Sequence, residues 1–334
     1  HVLFIDMELQ EIADQLKIPK DQAAVLLERG CSKMKQARGR QRSPLVDPTV
    51  YTAWNGMMIV ALLESWKAFG VEVLKEAALA CLASVLGGHR LPSGLMSHRH
   101  TRFSSEAFLE DQTAMLEALI AAFDATGNAR HLANAELLAE AMIKHFWDEE
   151  ETASPQHASA FNDVPKAHER LGTLAVTHKP IQDSPTPSPN GVAALALLSL
   201  SALTGNKTYR DRAERILRYF AGGVAGSGLF AGTYFLGIQR LLYPPLHVVT
   251  TGGKGDARID ALHDTAVRTF RPGKIVSRIG PSNDTHLPPE VKALIGDSAE
   301  SRAVVCGSTS CSAPVSDAEE LRLLIQTFDR KRES

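Results

Sequence analysis

The sequence predicts a mainly α protein, an α/α toroid or solenoid of paired helices with a small C-terminal α/β unit. Three observations predict it. Apolar helical segments come in consecutive pairs. A punctuation repeats between the members of a pair: Thr126-Gly127-Asn128 precedes Ala135-Glu136, and Thr204-Gly205-Asn206 precedes Ala213-Glu214, with eight residues from Asn to Glu in both. Gly there ends one helix in a left-handed cap and Asn caps the next. Finally, the two members of a pair differ in polarity. Tyr209, Ala213, Ile216, Leu217 and Phe220 form one stripe at helical spacing, whereas the helix from Pro189 has almost no polar face. An inner layer of helices buried on both sides, inside an outer layer with one wet face, satisfies that difference.

Leu9 to Lys17 reads as a short helix, and Pro19 opens a second, to about Ala37. An Arg-, Gly- and Pro-containing loop runs from Arg38 to Pro48. Helices follow over Ala53–Phe69, Val71–Leu86, Ala107–Ala125, Ala129–Trp147, Pro189–Leu203, Tyr209–Phe220 and Leu229–Leu242. Phe69-Gly70 reads as a degenerate third copy of the punctuation. Gly70, Gly127 and Gly205 lie 57 and 78 residues apart. Such irregular spacing, with long loops over 87–106 and 149–188, favours a toroid over a regular solenoid. After Tyr243-Pro244-Pro245 the pattern changes. Leu246–Thr250, Lys274–Arg278 and Ala303–Cys306 read as strands, and Ala257–Phe270 and Asp317–Asp329 as helices. The expected domain division is therefore 1–243 for the toroid portion and 244–334 for the α/β unit.

The chain has 334 residues, 44% hydrophobic, with 36 basic and 38 acidic side chains and a net charge of −2. That balance argues against a nucleic-acid partner. The basic run Lys33, Lys35, Arg38, Arg40 and Arg42 lacks aromatics and reads as a solvated face. The longest nearly apolar run, Gly191 to Leu203, is 13 residues and too short for a span of about 20. No signal peptide is evident, no membrane association is expected, and four cysteines fit a reducing, cytoplasmic location. The chain opens at His1 without Met, so a fragment is expected.

Tyr51-Thr52-Ala53-Trp54-Asn55-Gly56-Met57-Met58-Ile59, Phe108-Leu109-Glu110-Asp111, Ser188-Pro189-Asn190-Gly191-Val192-Ala193-Ala194, and Val305-Cys306 followed by Cys311 together resemble the C-terminal half of the YyaL-type, spermatogenesis-associated thioredoxin-like proteins. The resemblance spans essentially the whole chain. It implies an N-terminal thioredoxin-like domain in the family, then an (α/α)6 toroid similar to six-hairpin glycosidases and N-acylglucosamine 2-epimerases. The thioredoxin-like domain and the family's segment rich in His, Phe, Glu and Lys lie outside the match. This sequence looks like the later toroid hairpins plus the tail. A toroid lacking hairpins exposes inner-helix apolar surface, which predicts self-association.

In such a toroid the entrances to the inner helices gather at one end, where free N–H groups favour polar ligands. Three entrances carry Asp47, Trp54 and Asn55; then His98, Arg99, His100, Glu110 and Asp111; then Asp183, Ser188 and Asn190. Glu110 and Asp111 are adjacent, so about 100° apart on a helix, and cannot both face one bond. Glu106 and Glu110 share a face at i,i+4 on the helix as read. Either Glu110 or Asp111 opposite His98 makes an acid/base pair; the bland alternative is dipole complementation. Trp54 is a sugar-stacking platform or a core residue. Arg99, His100, Asp183, Asn55 and Asn190 contact substrate hydroxyls or act structurally. His98 and His100 would share a side of an extended loop, but no third ligand has telling spacing, so no metal is expected. Cys306 and Cys311 are not a Cys-x-x-Cys pair and read as a redox pair or as structural cysteines. Gly252-Gly253-Lys254-Gly255 fits no phosphate-loop spacing, and no cofactor is expected.

Two functions compete. The first is a carbohydrate-active barrel, isomerase/epimerase-like or glycosidase-like, with a small carbohydrate as ligand. The second is a non-catalytic scaffold or partner-binding module of a thioredoxin-like protein.

Overall fold

The computed structural model describes residues 4–41, 45–100, 106–148, 158–166, 177–253, 256–279, 300–307 and 309–328. Two compact units are present, His1–Pro48 and Thr49–Ser334. In the first, α1 (Leu9–Leu16) ends at Lys17 in the left-handed region, and α2 (Lys20–Gly39) starts directly after Pro19. Ala13 and Ala23 are its buried side chains among the described residues.

The second unit contains three helical hairpins, and the punctuation read from the sequence forms their turns. They are α3 (Thr52–Phe69) with α4 (Glu72–His89), α5 (Leu109–Thr126) with α6 (Ala129–Phe146), and α7 (Pro189–Thr204) with α8 (Lys207–Phe220). Gly70, Gly127 and Gly205 sit at φ of 70°, 63° and 72°, where a Cβ is strained. Asn128 and Asn206 accept the Arg130 and Thr208 N–H groups at 3.1 and 3.0 Å. Gly70 thus makes the third copy, although Val71 replaces the capping Asn.

A single inner helix, α9 (Gly232–Leu242), follows. The inner helices α3, α5, α7 and α9 each pack on the next, while α4, α6 and α8 each pack on their own inner partner. This is an arc of an α/α toroid. The close α3–α5 approach needs Gly56, where a Cβ would lie 2.8 Å from the Ala114 backbone. Helices α5 and α7 are buried nearly all round, and the five-residue stripe of α8 is its buried face. At the two ends of the arc, apolar side chains remain exposed: Trp54, Met58 and Val73 on α3 and α4, and Phe235 and Leu236 on α9.

The C-terminal segment belongs to the same compact unit. Its three strands are β1 (His247–Thr251), β2 (Ile275–Ile279) and β3 (Arg302–Cys306). The strand β1 is central, parallel to β2 and antiparallel to β3. Helices α10 (Ala257–Arg268) and α11 (Ala318–Thr327) pack on each other and on the sheet. Asp124 near the end of α5 accepts the Val276 N–H at 2.7 Å, and Val248, Val276 and Val305 join the helical core. Cys306 and Cys311 are joined as a disulfide at the end of β3, with Cys31 and Cys81 free. Of the Gly-rich turn, Lys254 and Gly255 lie outside the described residues, as do Arg42, Pro155 and Asp329.

The hairpin glycines give a paired prediction. Gly205 faces open space, whereas a Cβ at Gly127 would overlap the Arg278 side chain. Gly205→Ala is expected to cost about 1 kcal/mol and Gly127→Ala about 2–4 kcal/mol, measured by urea unfolding. Equal costs would mean that the α5–α6 turn does not press on β2.

Candidate functional site

The N-terminal ends of α3 and α5 lie side by side, and the segment 90–100 is laced across them. Arg99 forms an antiparallel bridge with Tyr51, and the Thr52 N–H donates to the His98 carbonyl at 2.9 Å. Gln112, buried on α5, accepts the Met96 N–H at 2.7 Å and donates to the Met96 and Phe108 carbonyls at 2.8 and 3.0 Å. The Thr52 hydroxyl donates to the Ser97 carbonyl and so receives His89 Nδ1–H, at 2.6 Å. Burial, and then the charge of His100, lowers the His89 pKa.

Asp111 joins these parts. It is fully buried. One carboxylate oxygen accepts the Ala53 N–H at the start of α3, and the other accepts the Phe108 N–H that caps α5, each at 3.2 Å. His98 Nδ1 lies 3.2 Å from both oxygens. Burial pushes the Asp111 carboxyl up to about 6, with His98 and the Phe108 N–H opposing that rise. A carboxylate at Nδ1 fixes the imidazole with Nδ1 protonated and Nε2 as the basic nitrogen. Among the described residues Nε2 carries no hydrogen bond. The ring is held by Tyr51, with centroids 5.2 Å apart, and by the Phe108 edge at 4.9 Å.

Glu110 was expected to face away from Asp111, but the side chains converge: its carboxylate reaches the same His98 nitrogen that Asp111 holds. The Glu110 carboxylate is 40% exposed, and Oε1 lies 3.9 Å from His98 Nδ1. Trp54 is 61% exposed, which removes the core reading, and its ring lies 4.8 Å from Tyr51. Trp54, Tyr51, His98 and Glu110 therefore form a continuous patch. Arg99 sits beside it, 3.9 Å from Glu106. Glu106 precedes α5, so the expected helical i,i+4 pairing with Glu110 does not form.

Other expected site residues are elsewhere. His98 and His100 do not present a common face: His98 turns to Asp111, while His100 stacks on His89 at 5.4 Å. Asn55 donates to its own helix at Tyr51 O, 2.7 Å, and accepts from Cys81 Sγ at 3.4 Å. Asn190 is fully buried and bonds both backbone groups of Phe161, at 2.9 and 3.0 Å, and the Pro180 carbonyl at 2.9 Å. Asp183 accepts the Ser188 and Thr233 N–H groups, both at 2.7 Å. These three side chains hold backbone instead of facing a ligand. The disulfide of Cys306 and Cys311 is on the sheet. Gln112, Tyr51 and Thr52 were not singled out from the sequence, although Tyr51 and Thr52 stand inside the Trp54 motif.

His98, Glu110 and Asp111 bring three potential cation ligands within 4.8 Å of one another. A divalent cation there would compete with the three N–H donors already on Asp111. The arrangement therefore suits proton transfer by an oriented imidazole better than metal binding.

The fold and site define a class: an α/α-toroid arc with a patch of Trp54, Tyr51, His98 and Glu110 at its inner-helix entrances. No family model matches the chain. It is similar to spermatogenesis-associated protein 20 of Homo sapiens, 24% identical over 342 residues, covering 97% of this chain and 42% of that protein. The Mus musculus protein is 24% identical over 341 residues with the same coverage. The resemblance to the spermatogenesis-associated thioredoxin-like family, read from the motifs around Trp54, Glu110 and Asn190, holds over the chain. The chain spans less than half the length of these curated relatives. Among solved structures it is similar to a GH76 α-mannanase of Bacteroides thetaiotaomicron, with TM-score 0.45, 13% identity and 87% and 73% of the two chains covered. It is also similar to a D-mannose isomerase, with TM-score 0.38, 19% identity and 52% and 44% covered.

The two adjacent carboxylates should behave oppositely. Asp111→Ala is expected to cost about 2–4 kcal/mol, because three donors lose a buried acceptor, and Glu110→Ala less than about 0.5 kcal/mol. Urea unfolding of both variants checks this; a silent Asp111→Ala would remove it as the tie between α3 and α5.

Proposed function

We propose that this chain is a carbohydrate-active toroid protein that binds a small sugar at the α3/α5 entrance and shifts a proton on it. The observation that carries the reading is the Asp111–His98 pair. Asp111 is a positioning residue, and His98 Nε2 is the base it orients. Glu110 is the accompanying acid, Trp54 the stacking face for a pyranose ring, and Arg99 a hydroxyl contact. Two-carboxylate glycoside hydrolysis is less well supported, because buried Asp111 cannot flank a glycosidic bond with Glu110. Isomerisation or epimerisation needs one base and one acid at a carbon next to a carbonyl, which His98 and Glu110 supply. The cytoplasmic location belongs to the same proposal. No described helix is long and apolar enough to cross a membrane.

A second reading, a partner-binding or self-associating scaffold, is favoured by exposed Trp54, Met58 and Val73 on α3 and α4.

A thermal melt against a panel of mono- and disaccharides separates the two. One sugar is expected to raise the midpoint in the parent chain, by about 2.7 kcal/mol of stabilisation at one hundred times its Kd. Trp54→Ala and His98→Ala should abolish that rise. In heavy water, the bound sugar should gain deuterium at the carbon beside its carbonyl, and His98→Ala should stop the exchange. A cooperative melt that no sugar moves would overturn the carbohydrate reading and leave the scaffold, whose oligomeric state light scattering reports.

A further inference from the structure

At the opposite end of the same inner helices lies a cavity of about 210 Å³. The C-terminal halves of α3, α5 and α7 wall it, together with Arg240 of α9 and Lys274 and Ile275 at the start of β2. Six ionisable side chains line it: Glu64, Lys67, Glu117, Asp124, Arg240 and Lys274. None belongs to the site around His98.

Three of the six are satisfied among themselves. Lys67 Nζ lies 2.8 Å from Glu64 and 2.6 Å from Asp124, and Asp124 also accepts the Val276 N–H. Burial works to lower the Lys67 pKa, but the two carboxylates override it and raise it. Among the described residues the other three lack a carboxylate–cation contact. Arg240 donates to Ser199 Oγ at 2.6 Å, and Lys274 donates to the Val267 carbonyl at 2.9 Å and to the Ala266 carbonyl. Glu117 has no hydrogen bond and no ion pair among the described residues; Arg240 acts on it only across the cavity. An unpaired carboxyl and an unpaired guanidinium thus face one small space whose remaining wall is apolar, from Val60, Ile120, Leu195 and Ile275.

We propose that this cavity binds a small amino-carboxylate zwitterion, its carboxylate on Arg240 and its ammonium on Glu117. The six charges sum to zero when all are ionised, so a net-neutral ligand carrying both signs fits better than a lone ion. The volume, equivalent to about seven waters, limits the ligand to a few carbons. Burial holds the Glu117 carboxyl at about 7 and Lys274 at about 8. A ligand ammonium beside Glu117 would lower its pKa and release a proton on binding near neutral pH.

The probes are glycine and 4-aminobutyrate, with acetate and ethylamine as single-charge controls. Calorimetric titration of the chain near neutral pH, in two buffers of different ionisation enthalpy, reads affinity and proton count together. At least one amino-carboxylate is expected to bind with net proton release and to raise the melting midpoint, and neither control should do so. Arg240→Gln and Glu117→Gln should each weaken it about ten-fold or more, which is about 1.4 kcal/mol. Folding of the variants is checked by melts without ligand. There Glu117→Gln should be stabilising relative to the parent, increasingly so as pH rises from about 4.5 towards 7. The sign follows because a carboxyl raised in the folded state loses stability as pH climbs between its unfolded and folded values. The other charges facing Glu117, on Arg240, Lys274, Lys67, Glu64 and Asp124, are common to both proteins and cancel in that comparison. Acetate binding as tightly as the amino acids, proton uptake, or no binding of either amino-carboxylate would overturn the proposal.

Discussion

The structure depends on a constraint at the entrances of its inner helices. Four apolar helices packed side by side bring their first-turn N–H groups into a crowded interior, where each lacks an intrahelical partner. Two carboxylates answer this in the same way. Asp111 takes the capping N–H of α5 and the second N–H of α3. Asp183 takes the capping N–H of α7 and the second N–H of α9. Each therefore ties one inner helix to its neighbour and places negative charge where the helix dipoles favour it. Between them Asn190 holds the backbone at Phe161 and Pro180 against the start of α7.

That constraint shapes the chemistry above it. Because Asp111 is fixed by two backbone donors, it is rigid, and the imidazole it receives is rigid with it. A buried carboxylate that serves packing thereby orients a histidine towards the surface, without itself being available to a ligand. Its neighbour Glu110, more exposed on the same turn, is the carboxyl a ligand can reach. The same local sequence thus supplies both structure and a candidate acid/base pair, and the aromatic rings of Tyr51 and Phe108 fix the plane of His98.

How much of this was legible depends on how far apart the partners lie in the sequence. The hairpins were legible because their signals are local: Gly127 and Gly205 at left-handed caps, Asn128 and Asn206 on the next helix, and the stripe of α8. The strands were legible within a residue. The convergence of Glu110 and Asp111 on His98 was not legible, because the 100° between helix neighbours gives backbone direction and not where the longer Glu side chain bends. Nor were the roles of Asp183 and Asn190, because their partners are backbone groups up to fifty residues away, at Thr233 and Phe161, and backbone groups leave no mark in a sequence. His98 and His100 were expected to share a side and do not, because Asp111 takes His98 while α4 supplies His89 as a stacking partner for His100. The cavity was invisible for the same reason: Glu117, Arg240 and Lys274 look like ordinary surface charges until α5, α9 and β2 converge.

The two ends of the arc are linked by the apolarity of what lies between them. Helices such as α5 and α7 have no continuous polar face, so the charged side chains of α5 are few: Glu110 and Asp111 in its first turn, Glu117 at its middle and Asp124 in its last. At the first turns, N–H groups attract carboxylates and the result is the Asp111–His98 arrangement. Further along, Lys67 in the last turn of α3 is held by Glu64 and Asp124, while Lys274, entering β2, donates to the Ala266 and Val267 carbonyls of α10. The docking of the sheet on α5 closes that lower end, since Asp124 serves both Lys67 and the Val276 N–H. Displacing β2 would take Lys274 and Ile275 out of the cavity wall and the Val276 N–H from Asp124, while Lys67 kept Glu64 and Asp124, so the C-terminal segment contributes one wall of the cavity.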